Sequence, residues 1–201
     1  MRAGLRYLAG QPILLTAYLA DLTAMAFGMP VAVFPQLSQQ AFGDPPGGGP
    51  AIGVLSAALS LGALAAGCCA GAFTRVRRHG VMVTAAVCGW GLAVAGAGLA
   101  RSLWSAAACL LLSGGALTVL SVFRKTLLQA AAVDAMRGRL QGVDTVVGAG
   151  GPRLAGILHG TAAATWGTSW SITGGGLLTA AVMVALVLAV PAFWRYSPVG
   201  A

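Results

Sequence analysis

Apolar residues fill this chain in six stretches separated by five short gaps, and each stretch is about long enough to cross a bilayer. They run over about 13–37, 51–73, 81–100, 103–131, 140–165 and 171–194. The pattern predicts an all-α membrane protein, one six-helix transmembrane domain over residues 1–201. The apolar run that follows Arg2 and Arg6 continues past Asp21 to about Phe34. That exceeds the roughly 7–15-residue core of a cleaved signal, so it reads as a retained first span. Between the first two stretches, GDPPGGGP (43–50) has no periodicity and reads as a turn-rich link.

Polar character is not shared equally among the stretches. The third and sixth hold no ionisable residue except at their ends and are expected to face lipid. The fifth carries Asp144, the run GAGGP (148–152), Arg153 and His159. An Asp or Arg near a helix centre costs roughly 2.5–3.5 kcal/mol on the insertion scale, and a Leu returns only about 0.5. The fifth stretch is therefore expected to face protein or water. Small residues let membrane helices approach closely, so the 30 glycines read as packing faces, with Gly67 and Gly71 at GxxxG spacing in the second stretch.

Composition sharpens the class. Hydrophobic residues make up 58% of the chain and charged ones 8%, with no Glu, against about 25% charged in soluble domains. Ten of the 12 cations fall on one side, at the two ends and around alternate gaps: Arg2, Arg6, Arg75, Arg77, Arg78, Arg124, Lys125, Arg137, Arg139 and Arg195. Arg101 lies on the other side and Arg153 inside a stretch. The positive-inside rule then places both termini in the cytoplasm. The net charge of +8 is an orientation signal; the cations form no aromatic-interleaved patch of the kind that binds nucleic acid. Arg in place of Lys amid abundant Ala and Gly points to a high-GC bacterial genome, and the expected location is the bacterial plasma (inner) membrane.

Candidate chemistry is confined to a few side chains. Asp21, inside the first stretch, reads either as a cavity carboxylate able to carry a proton or meet a cation, or as a packing group hydrogen-bonded to a neighbouring helix. Asp144 and Arg153, nine residues apart, lie about 180° apart on a regular helix and cannot pair unless Gly150, Gly151 and Pro152 break it. Asp144 then pairs with Arg137, Arg139 or Arg124, while Arg153 takes an anionic group or an acid on another helix. His159 reads as an interior histidine or a proton relay, and Arg75, Arg77, Arg78 and His79 as a headgroup-anchoring cluster.

Catalysis finds no support. An intramembrane serine protease needs Gly-x-Ser-Gly, and Ser113-Gly114 follows Leu111-Leu112 instead. No metal-ligand spacing, phosphate loop or cofactor motif is present, and Cys68, Cys69, Cys88 and Cys109 read as small packing residues.

The stretch VFRKTLLQAAAVDAMRGRLQGVDTVVGAGGPRLAG (122–156) resembles the C-terminal six-helix half of major facilitator superfamily transporters, and most closely the enterobactin-exporter-like efflux branch. LADLTAMAFGMPVAVFPQL (19–37), TRVRRHG (74–80) and PAFWRY (191–196) are similar to other segments of that half. The resemblance implies that spans 1 and 4 line a cavity, spans 2 and 5 meet a second half, and spans 3 and 6 lie outside. It makes Asp21 and Arg153 substrate or proton-coupling candidates, to which the reading of the residues themselves adds His159. It makes Arg75, Arg77, Arg78, Arg124, Asp134, Arg137, Arg139 and Asp144 cytoplasmic gate candidates, and Gly150, Gly151 and Pro152 a helix break. The pattern departs from the family at Leu117, Val133 and Arg75, and in AGILHG (155–160) after Arg153.

The implied activity is efflux of a small organic molecule, such as a drug or siderophore, by alternating access. The implied partners are the bilayer, the substrate and a second six-helix half, either another copy or a separate chain. The alternative is a truncated, non-transporting remnant or assembly subunit.

Overall fold

The computed structural model describes residues 10–73, 78–131 and 134–194, and every regular element among them is helical. The first predicted span is not one helix. α1 (Pro12–Phe27) ends at Gly28, a 3-10 turn follows over Pro30–Val33, and α2 (Phe34–Phe42) restores the α-helical ladder. Pro30 and Pro35 bring no backbone N–H, so two rungs of a continuous ladder are missing here. The chain continues through α3 (Pro50–Cys68), the short α4 (Ala70–Phe73) and α5 (His79–Leu99). It closes with α6 (Leu103–Ala131), α7 (Asp134–Trp166), α8 (Thr168–Ala189) and the short α9 (Pro191–Trp194).

Five segments are long and apolar enough to cross a membrane: Pro12–Phe42, Pro50–Cys68, His79–Leu99, Leu103–Thr126 and Thr168–Ala189. α7 covers the predicted fifth span but is not among them, because its arginine, histidine and glycines dilute its apolar character. The expected break at Gly150, Gly151 and Pro152 does not occur; α7 is helical through Pro152. The glycines before Pro152 offer no side chains to crowd its ring. At Gly151, which is buried, α7 comes so close to α1 that an added Cβ would lie 2.8 Å from that of Met25.

The core is built on close helix contact. α3 and α6 share a tight seam, where a Cβ at Gly62 would collide with the Leu111 carbonyl and one at Gly114 with that of Leu59. Thr118 Oγ1 donates across the same seam to the Ala63 carbonyl at 3.2 Å. α5 and α8 run antiparallel, in contact at Gly91 beside Gly176 and at Gly98 beside Thr173, and the short α9 extends the contact with Phe193 beside Gly80. Gly67 and Gly71, whose spacing suggests a packing motif, are not at a seam: a Cβ added at either would meet nothing within 4 Å.

α5 departs from the expectation of a lipid-facing helix. It lies inside the bundle, packed on both α6 and α8, with Val83, Val87, Trp90 and Val94 buried. A helix apolar all round suits a protein core as well as lipid, so composition alone does not separate the two. α8 is the exposed partner of that pair, with Leu177, Leu178, Val184 and Leu188 outward. Trp104, Trp166 and Trp170 are exposed where α6 begins and α7 turns into α8, as suits tryptophan at a membrane–water boundary.

Candidate functional site

Three helices bring charge into the protein interior. On α1 the buried face repeats at helical spacing through Leu14, Ala17, Tyr18, Asp21 and Ala24, which carries Asp21 inward with its apolar neighbours. On α6 the buried Leu120, Phe123 and Arg124 continue the inner face toward the far end of the helix. α7 adds Asp144. Arg124 Nε lies 3.3 Å from Asp21 Oδ1, and Arg124 Nη1 donates to Asp144 Oδ1. The side chains of Asp21, Arg124 and Asp144 are 2%, 7% and 14% exposed.

The arrangement is not saturated. Asp21 Oδ2 and Arg124 Nε are buried and take part in no hydrogen bond; the Asp21–Arg124 contact is an ion pair without hydrogen-bond alignment. Tyr18, one turn before Asp21, interacts electrostatically with all three charged groups. Two carboxylates around one guanidinium sum to −1 when all are ionised, and a single proton brings the cluster to neutrality.

His159 does something else. Its Nε2–H donates to the Phe27 carbonyl at 3.0 Å, at the residue where α1 stops. A carbonyl only accepts, so in the neutral ring Nδ1 carries no proton and faces the Ser171 hydroxyl 3.2 Å away. The single Ser171 O–H is directed to the His159 carbonyl at 3.0 Å and lies within reach of Nδ1 as well. His159 thus ties the broken end of α1 to α7 and α8, and it shares no partner with the Asp21 cluster.

The remaining candidates are dispersed. Arg153 is exposed on α7 and pairs with no acid among the described residues, so neither Asp144 nor a described acid on another helix holds it. Arg78 is exposed before α5. Arg75 and Arg77 lie outside the described residues. Asp134, Arg137 and Arg139 belong to the first turns of α7, and their side chains lie outside what is described. No group of three or more His, Cys, Asp or Glu suited to a metal occurs among the described residues.

Two further buried polar groups stand where no pattern in the sequence marks them. Asp44, in the link after α2, accepts from the N–H of Ala51 at 3.1 Å and of Ile52 at 2.9 Å, clamping the start of α3. Desolvation alone would push the Asp44 carboxyl up, but the Ile52 and Ala51 donors and the Ser38 hydroxyl outweigh it and hold it below its usual value. Asp44 stands six residues before Pro50, outside the usual capping spacing. Ser113 Oγ on α6 is buried without a hydrogen-bond partner, beside the Gly28–Pro30 break.

No protein-family model matches the chain, and neither a curated protein nor a solved structure gives a significant match.

Proposed function

We propose that this chain is a half-length transporter of the major facilitator type, a six-crossing bundle in a bacterial plasma membrane. It works with a second six-helix half to move a small organic molecule outward by alternating access. The observation that carries the reading is the buried Asp21–Arg124–Asp144 cluster, which joins α1, α6 and α7. Charged groups inside a membrane bundle are costly and mark ion or substrate pathways. With both acids ionised this cluster is one proton short of neutrality, and Asp21 keeps one oxygen unengaged. Protonation there would loosen the hold of Arg124 on α1 and change how α1, α6 and α7 are tied together. The broken α1 supports the same reading, since discontinuous helices are a recurring feature of transporter folds.

In this reading α7 supplies the sixth crossing, and the second half covers its exposed Arg153. The test is flux in proteoliposomes loaded with the pH dye pyranine and challenged with a panel of organic cations and catecholates. A substrate should elicit proton movement that Asp21→Asn abolishes while leaving the protein folded. Substrate movement with unchanged proton coupling in Asp21→Asn would remove Asp21 from the mechanism. No movement of any kind, with a cross-linked second half present, would favour an assembly subunit.

A further inference from the structure

A cavity of about 660 Å³ opens between α7 and α8, and none of the three charged groups of the Asp21 cluster lines it. Its volume falls within the roughly 300–1,000 Å³ range of small-molecule sites. It is an open groove: Trp166 and Trp170, the exposed tryptophans at the α7–α8 turn, line one end, Phe27 at the end of α1 lines it as well, and the exposed Leu178 forms part of its α8 side. Among the described residues, no Arg, Lys, Asp or Glu lines it. His159 and Ser171 reach its wall, but they are engaged with one another, and His159 also with Phe27.

The hydroxyls nearest the tryptophans differ from these. Thr161 and Thr165 on α7 give their protons to the carbonyls of Ile157 and Thr161 one turn earlier, which leaves the oxygens free to accept. An occupant therefore needs a long apolar body, no net charge, and a donor at the end near the tryptophans. A primary alcohol or a similar neutral head meets all three requirements. An ionic head would be left unpaired, because no described lining residue supplies a counter-charge.

From this geometry we infer that the α7–α8 cavity binds a neutral, single-chain amphiphile, seated with its polar head between Trp166 and Trp170 and its chain directed toward Phe27. The site is independent of the Asp21 cluster and of any flux through it. Gly174 provides the means to test it: it lines the cavity, and a side chain added there meets nothing within 4 Å. Gly174→Phe should fill the space without disturbing the helices, and Ala162→Phe is a second variant of the same design.

The full chain in nanodiscs is exposed to hexadecanol bearing a photoactivatable diazirine in its chain, and labelled peptides are mapped by mass spectrometry. Labelling of Thr161, Thr165 and Phe27 should saturate, fall at least about tenfold with excess plain hexadecanol, and disappear in Gly174→Phe. Labelling of outward-facing Leu188 should persist without saturating in every sample, reporting the folded bundle and ordinary lipid contact. Cavity labelling that is non-saturable, or equal in wild type and both filled variants, would overturn the site. So would an absence of cavity labelling, the result expected if a helix of another subunit occupies the space.

Discussion

Removing the Arg124 guanidinium while leaving both carboxylates is the most demanding test of the buried cluster. At 3.3 Å and an effective dielectric constant of about 20, its attraction to Asp21 alone is about 5 kcal/mol before desolvation is counted. Much of that is offset by the cost of burying the ions, so the pair's net worth is far smaller. The loss on deleting one partner is not, because it leaves uncompensated charge in the interior; about 3–5 kcal/mol is typical. Arg124→Met keeps most of the apolar stem and removes the charge, so packing loss contributes little. Asp144 is the more exposed acid and can be partly solvated, which makes the stranded Asp21, at 2% exposure, the main source of the penalty.

The decisive comparison is between two backgrounds. In wild type, Arg124→Met should lower bundle stability by about 3–5 kcal/mol, read from the loss of helical signal as SDS is titrated into detergent micelles. In Asp21→Asn/Asp144→Asn, the same substitution should cost about 1 kcal/mol, the scale of ordinary hydrogen bonds lost among neutral groups. The difference is the coupling energy of the cluster. Equal losses in the two backgrounds would refute the reasoning, for they would mean that the arginine stabilises through its stem alone.

Three further outcomes follow from other parts of the bundle. Asp44 has a folded-state value below its unfolded one, so its contribution is complete above the unfolded value near about 4 and is lost as pH falls through the folded value; Asp44→Asn should narrow the stability difference between pH 6 and pH 3, measured by thermal unfolding, and an unchanged difference would count against the clamp. Gly62→Ala should cost about 1–3 kcal/mol by driving a methyl into the Leu111 carbonyl, whereas Gly67→Ala, facing open space, should be neutral or gain up to about 1 kcal/mol in helix propensity; matching SDS-unfolding midpoints for the two would dismiss the α3–α6 seam. His159→Ala should strand the Phe27 carbonyl and cost about 1–3 kcal/mol, with hydrogen exchange rising first at Met29 and Val31; exchange unchanged at those amides would show that His159 does not hold the break.

Helix positions are legible in the sequence because length and apolarity are local properties, and the observed elements fall over the predicted stretches. Relations between helices are less so. Arg124 is one of three cations within reach of Asp144, and nothing local joins either residue to Asp21, more than 100 positions away in the case of Arg124. Proline and glycine content flags 148–152 as the break, yet the ladder fails at 28–33 instead. The difference lies in what surrounds each proline. Pro30 has Pro35 close behind and a histidine on another helix to take the Phe27 carbonyl, whereas Pro152 stands alone in an otherwise regular helix. Asp44 is hidden for a related reason: its partners are backbone amides seven and eight residues on, reached by a loop with no periodic signature.

The same physics links the least apolar helix to the need for a partner. α7 turns Asp144 inward to Arg124 and leaves Arg153 outward, with Leu154 and Ile157 exposed near it. An arginine set near exposed apolar side chains is tolerable beside water, a headgroup or another protein surface, but costs several kcal/mol against acyl chains. Gly148 and Gly160 add no side chains that could shield it, and each has open space where a side chain would project. The apolar residues near Arg153 therefore favour contact while Arg153 opposes lipid, and a second protein surface carrying an acceptor satisfies both. α8 makes no such demand: beyond Trp170 at its start, its large outward residues are leucine and valine, which lipid covers without penalty. The bundle thus has one face suited to the bilayer and another that the bilayer alone covers poorly, and that asymmetry is the physical ground for placing the proposed second half against α7.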